Sequence, residues 1–380
     1  MKSRFLAAAA LVLLGFVAFQ LFQAWRSSSS HPAGLAEAAP APRAEALPAA
    51  PPRSPAVAPE PAVPDLADQS PLTLAIEKLL ALLERRSATA ADFAALKAAL
   101  LAADPVQSIA AIRAFLRSGR NAATRQDFAL GPGGTLTGAP TLRVLLLDVL
   151  GQVSRRARSP AAAEVSREIL GDKTSADEWA LALRNLAWTE PQSRTYLGDK
   201  VREMLAFAPW RTSPSAGMLE ALDVVVFTRD PTLIPDLDEA RTAGGELAHA
   251  TDIALDRLAE AAPLDVLTWL NTHPRTLDDR PYLRADYFAK ADLAQGAQRA
   301  QIEIYLTRPD ITAAEKAKLL KALTAPASFV SETLLSTPPP ADDGTARRSA
   351  LTRTVADWLK SDRFPLLRDA LLETQALLAP

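Results

Sequence analysis

Proline placement constrains this chain more than any other feature. Eleven prolines fall between residues 26 and 71, in a stretch that includes "HPAGLAEAAPAPRAEALPAAPPRSPAVAPEPAVPDLADQSP". Proline has no amide donor and clashes inside a helix, so neither helix nor sheet propagates through such a run. The run also lacks hydrophobic periodicity. It predicts a semi-extended linker over residues 26–71, either a tether or a proline-rich ligand for a partner domain. Beyond it, prolines come singly and open periodic segments: Asp104-Pro105, Ser159-Pro160, Glu190-Pro191 and Asp230-Pro231. A capping side chain followed by proline at the first helical position is a helix start, because the missing donor has no partner there anyway.

Before the linker the chain reads "MKSRFLAAAALVLLGFVAFQLFQAWRSSSS". Lys2 and Arg4 precede an apolar run over residues 5–25, broken only by Gln20 and Gln23. About 20 helical residues cross a hydrocarbon core of ~30 Å. The run therefore predicts a transmembrane signal-anchor helix, with Trp25 at interfacial depth. Basic residues ahead of it place residues 1–4 in the cytoplasm and residues 72–380 outside it. The expected location is the bacterial inner membrane, single-pass, with the body periplasmic. The rival is a signal peptide cleaved near Ala36 to Ala39, which would leave a secreted protein.

From Leu72 the apolar period becomes helical. "LTLAIEKLLALLERR" aligns Leu72, Ile76, Leu79, Leu80 and Leu83 on one face, and "TAADFAALKAALLAAD" aligns Phe93, Leu96, Leu100 and Leu101. Gly119 suits a helix stop. Thr174 with Asp177 and Thr312 with Glu315 resemble capping boxes. Ile253, Leu255 and Leu258, then Val266, Leu267 and Leu270 after Pro263, outline a helix pair. Short helices with short connections favour antiparallel pairs. The expected fold is all-α: an irregular, solenoid-like helical-repeat array over residues 72–380. Between residues 140 and 335 the apolar pattern resembles the HEAT-like class of helical repeats, which implies a protein-binding scaffold.

The glycine-rich stretch "FALGPGGTLTGAPTLRVLLLDVL" raises a different chemistry. Gly133 and Gly138 have the separation of a phosphate-binding loop, but Ala139 and Pro140 stand where lysine and a hydroxyl are required. The dinucleotide pattern fails at Leu136. No nucleotide site is expected. Short extended runs around "GPGG" predict instead a small β-hairpin near residues 126–138, followed by a helix from Pro140 with Leu142, Leu145, Leu146 and Val149 facing inward.

The inventory for catalysis is thin. There is no cysteine, and the only histidines are His31, His249 and His273. His249 and His273 lack metal-site spacing and read as solvated or capping residues. No serine-hydrolase elbow occurs. Asp236 with Asp238, and Asp342 with Asp343, lack calcium-loop spacing and read as solvated turns. Trp179, Trp188, Trp210 and Trp269 read as core or helix-junction residues. The formal net charge of −2 argues against nucleic acid as a partner. Charge is nevertheless uneven. Nine basic residues between Arg113 and Arg167 face three acidic ones, and fourteen acidic residues between Asp236 and Asp310 face eight basic ones.

"RADYFAKA" resembles the signature segment of membrane-anchored lipase foldases at Asp286, Tyr287, Phe288 and Ala291. Those proteins also combine an anchor, an Ala/Pro-rich linker and a helical body. The resemblance implies a steric chaperone for a secreted enzyme. Ala285 and Tyr282 depart from the signature. The leading expectation is a membrane-tethered extracytoplasmic scaffold or adaptor that binds a protein, with no catalytic, metal or cofactor-binding residue and no cofactor. The alternatives are the foldase-like chaperone and a cell-envelope enzyme without a linear motif.

Overall fold

The computed structural model describes residues 70–326, 333–335 and 344–379. The chain divides into two compact units, Met1–Val63 and Pro64–Pro380, and every described residue belongs to the second. The expected tip, anchor and nearly all of the linker lie outside the described residues. Among the described residues no helix is long and apolar enough to cross a membrane.

The second unit is mostly helical, with a single two-stranded sheet among the described residues. It opens with α1 (Pro71–Glu84), α2 (Ala90–Ala102) and α3 (Pro105–Arg117). The hairpin of β1 (Ala129–Leu130) and β2 (Leu136–Gly138) follows. Then come α4 (Leu142–Ala157), α5 (Ala161–Ile169), α6 (Ala176–Thr189), α7 (Arg194–Ala206), α8 (Ala208–Thr212), α9 (Ala216–Ala221) and α10 (Asp223–Thr228). The chain continues through α11 (Ile234–Arg241), α12 (Gly245–Ala261), α13 (Pro263–Thr272), α14 (Pro281–Phe288), α15 (Gly296–Thr307) and α16 (Ala313–Ala322). It closes with α17 (Thr345–Lys360) and α18 (Arg368–Leu378).

Each helix packs chiefly on near neighbours in sequence: α1 on α2 and α3, α3 on α4, α4 and α5 on α6, α6 on α9, α11 on α12, α13 on α15, α14 on α16, and α17 on α18. Most helices bury one stripe. In α1 the stripe is the expected set from Leu72 to Leu83. Two helices depart from this. α4 buries an unbroken run from Val144 to Gly151, and α6 one from Glu178 to Ala187, so both lie in the interior with neighbours on all sides. The expected inward set of α4 was therefore too narrow, since Val144, Leu147 and Leu150 are buried as well.

Helix starts follow local chemistry. The Asp104 carboxylate accepts from the amides of Val106 and Gln107, and Pro105 opens α3. Thr89 and Asp92 form a capping box at α2. Gly119 follows the end of α3 with φ +72°, as a helix stop requires. Three starts differ from expectation. Thr141, not Pro140, caps α4 through its hydroxyl. Ser175, not Thr174, caps α6 by accepting from the Glu178 amide. Glu190-Pro191 opens no helix; Glu190 ends α6, and α7 begins at Arg194. The Glu190 carboxylate is engaged by Arg167 and Ser193 and so is not available as a cap.

Candidate functional site

The two interior helices carry polar groups where a solvated helix would carry leucine. Asp148 sits within "LLLDVL" and Arg184 within "ALALRNLA", and both side chains are fully buried. A charge taken out of water has to be paired and hydrogen-bonded. Arg184 Nη1 lies 2.8 Å from Asp148 Oδ1, and its Nη2 donates to Asn185 Oδ1 at 2.9 Å. Asn185 in turn donates to the Leu147 carbonyl at 2.9 Å. Gly151 lets the helices meet here: a Cβ at that position would stand 2.0 Å from Asn185 Oδ1. Lys97 from α2 and Gln152 complete the carboxylate's shell, at 2.9 and 2.8 Å from Asp148 Oδ2. The guanidinium also lies 4.1 Å from the centre of the Trp188 ring, on which Arg155 rests as well. Burial pulls the Arg184 pKa down, and the Asp148 charge opposes that pull.

The network holds the hairpin. Arg184 Nη1 donates to the Gly134 carbonyl at 2.6 Å. Leu136 donates its amide to Asp148 at 3.1 Å and accepts from Lys97 at 2.8 Å through its carbonyl. The hairpin is antiparallel, with Ala129 opposite Gly138 and Leu130 opposite Leu136. Its tip is a tight turn in which Gly133 and Gly134 have φ +67° and +74°, a region closed to most side chains. The amides a phosphate cradle would use are spent within the turn: Gly131 donates to the Thr135 carbonyl at 2.8 Å and Gly134 to the Gly131 carbonyl at 3.2 Å.

The outer side of the Gly134 turn is covered by a distant part of the chain. The Leu334 carbonyl oxygen comes so close that a Cβ on Gly134 would stand 2.1 Å from it. Leu334 is fully buried, and the next residue donates its amide to Asp223 Oδ2 at 2.7 Å. Asp223 opens α10, is 5% exposed, and has Arg257 at 3.8 Å from its other oxygen. A three-residue piece of irregular, bent backbone, Thr333 to Leu335, is thus received by a glycine turn and a buried carboxylate.

Two open grooves lie elsewhere. One, of about 510 Å³, runs between α3 and α5 beside Val106, Ile109 and Pro160. Arg113 and Arg117 cross it to Glu164 at 2.9 Å and Glu168 at 3.4 Å. Arg143 meets Glu178 at 2.8 Å, and Arg167 pairs with Glu190. Much of the basic section is therefore neutralised by carboxylates on neighbouring helices. The second groove, of about 880 Å³, is lined by Pro235, Asp238, Glu239, Trp269 and His273. His273 caps α13 and stacks on Trp269 with ring centres 4.0 Å apart, while His249 lies exposed on α12. Among the described residues no group of three potential ligands could hold a metal ion.

The other expected positions fall as follows. Trp179 and Trp210 meet edge-to-face at 5.3 Å in the core. Asp236 and Asp238 pair with Arg202 and Arg241, and Asp342 and Asp343 lie outside the described residues. Of the foldase-like segment, Tyr287, Phe288 and Ala291 are buried, and Asp286 pairs with Lys318 at 2.9 Å. Sequence reading brought out the glycines but missed Lys97, Asp148, Arg184, Asp223 and Leu334. No protein-family model matches the chain, and neither curated proteins nor solved structures include a match.

Proposed function

We propose that this protein is a membrane-tethered, extracytoplasmic helical-repeat array that binds another protein through its hairpin face. The observation that carries the reading is the reception of Thr333 to Leu335, a short bent stretch outside any helix or strand, by the Gly134 turn and Asp223. A surface that receives a short backbone segment through a glycine turn and one carboxylate has the chemistry of peptide recognition. Neighbour-on-neighbour packing of α1 to α18 supports an array in which one face is free to bind while the others carry the core. In this reading residues 5–25 hold the array at the inner membrane and residues 26–71 set its distance from it.

The test is photo-crosslinking in intact cells, with the crosslinker at the exposed hairpin residue Thr137 and, separately, at Val106 in the α3–α5 groove. The expected result is a discrete protein adduct from Thr137 that depends on residues 5–25. Failure to trap a protein from either position at native abundance counts against the reading.

A further inference from the structure

The Gly134–Asp223 surface has three properties that a purely internal contact does not require. First, what it recognises is generic. The Leu334 carbonyl lies against a glycine, the Leu334 side chain is buried, and the following amide meets a carboxylate at 2.7 Å. Any segment that takes up the same bend, with a leucine followed by a residue bearing an N–H, offers the same groups. Second, the Gly134 side of the site is held by bonds of its own. Gly134 is fixed from beneath by Arg184 at 2.6 Å, itself held by Asp148 at 2.8 Å, and none of these bonds involves residues 333–335. Third, the occupant comes from far away in the chain, with 112 residues separating Leu335 from Asp223. It is not part of any helix or strand.

We propose that the Gly134–Asp223 surface is a docking site for a short, bent segment of a partner protein, carrying a leucine-type side chain followed by a residue with a free backbone N–H, and that Thr333 to Leu335 occupies this site in cis until the partner segment displaces it. The proposal rests on the protein-binding reading above and adds the class of ligand and its regulation. A proline directly after the leucine excludes a segment, because it removes the donor that Asp223 accepts. Competition in cis lowers apparent affinity by the fraction of molecules whose site is filled, so releasing the internal segment strengthens binding with no new contact.

The probe is a fluorescein-labelled synthetic peptide with the sequence of residues 330–337, VSETLLST, titrated into the full-length chain in detergent micelles. A second peptide is methylated on the nitrogen of its second leucine. Leu335→Pro deletes the internal donor and leaves Leu334 in place. The expected result is that this variant binds the first peptide at least tenfold more tightly than the wild-type chain does, and that it does not bind the methylated one. Adding Gly134→Val to the released variant abolishes binding. Should either variant fail to fold, the wild-type protein gives a second reading. There, saturating peptide raises hydrogen exchange at the Leu335 amide while exchange within α4 stays unchanged.

Equal binding of the two peptides overturns the proposal. So does a folded released variant with no saturable binding, or a Leu335 amide indifferent to peptide. Concentration-dependent dimerisation of the released variant without peptide binding assigns the surface to a second copy and also overturns it. These outcomes leave the broader reading standing if crosslinks form from Thr137, and crosslinking failure leaves the peptide measurement intact.

Discussion

At the scale of single residues, the outstanding feature is a buried guanidinium that serves three masters: Asp148, Asn185 and the Gly134 carbonyl. Breaking a buried ion pair by removing one partner costs about 3–5 kcal/mol, because the other charge stays behind unpaired. Arg184→Ala is expected in that range by urea unfolding. Arg184→Lys is expected to lose much of the same stability, since an ammonium cannot reproduce the planar fork that reaches all three acceptors. These residues were legible in principle. A charge in the middle of "LLLDVL" or "ALALRNLA" has apolar neighbours on every side and demands a partner. Which partner it finds depends on how α4 and α6 meet at Gly151, and no local pattern encodes that.

Glu190 gives a pH-dependent counterpart at the same scale. The Arg167 guanidinium, helped by Ser193, holds its carboxyl below the ordinary glutamate range. A carboxyl depressed by folding stabilises the fold above its unfolded pKa, about 4.3, and loses that contribution as pH falls through the depressed value. The pair is partly solvated, with Arg167 45% and Glu190 23% exposed, so the contribution stays below about 1 kcal/mol. Glu190→Gln is therefore expected to lower the melting temperature slightly at about pH 6 and by progressively less as pH falls below about 4.3. A difference that grows toward acid contradicts the assignment.

At the scale of elements, the hairpin was readable and its purpose was not. "GPGG" between short extended runs located β1 and β2 because positive φ is a local demand that glycine meets. The contact with Leu334 joins regions far apart in the chain, and the sequence carries no sign of it. Neighbouring glycines test the distinction. Gly133 and Gly134 share positive φ, but a Cβ on Gly133 meets open space, whereas one on Gly134 meets the Leu334 carbonyl at 2.1 Å. Gly133→Ala should cost on the order of 1 kcal/mol from backbone strain alone. Gly134→Ala should cost at least about twice that and raise proteolytic sensitivity near residue 334. Equal costs in chemical denaturation, with no change in proteolysis, remove Leu334 from the turn. Helix starts show the same limit. Asp104 and Thr312 cap as their local sequence predicts. Glu190 does not, because Arg167 on another helix claims its carboxylate.

At the scale of the whole molecule, the all-helical class of the body was legible because short amphipathic segments with capping residues leave few alternatives. The proposed role rests on the expected anchor and linker, which lie outside the described residues. In the proposed repeat array, packing among near neighbours would make stability close to a sum of local interfaces, so perturbations would spread over few helices. The amide of Leu335 on Asp223 is an exception to that locality, joining positions 112 residues apart. A hydrogen bond to a charged group contributes about 1.5–3 kcal/mol, so deleting the donor with Leu335→Pro should raise local opening roughly tenfold or more. Native-state hydrogen exchange on the full chain locates the change. Faster exchange is expected in α10, which Asp223 opens, and at the hairpin that Leu334 covers. Amides of α1 to α3 and of α18, none of which packs extensively on α10, should keep their rates. If amides across all helices accelerate together instead, the body opens as one cooperative unit and its description as a chain of local interfaces fails.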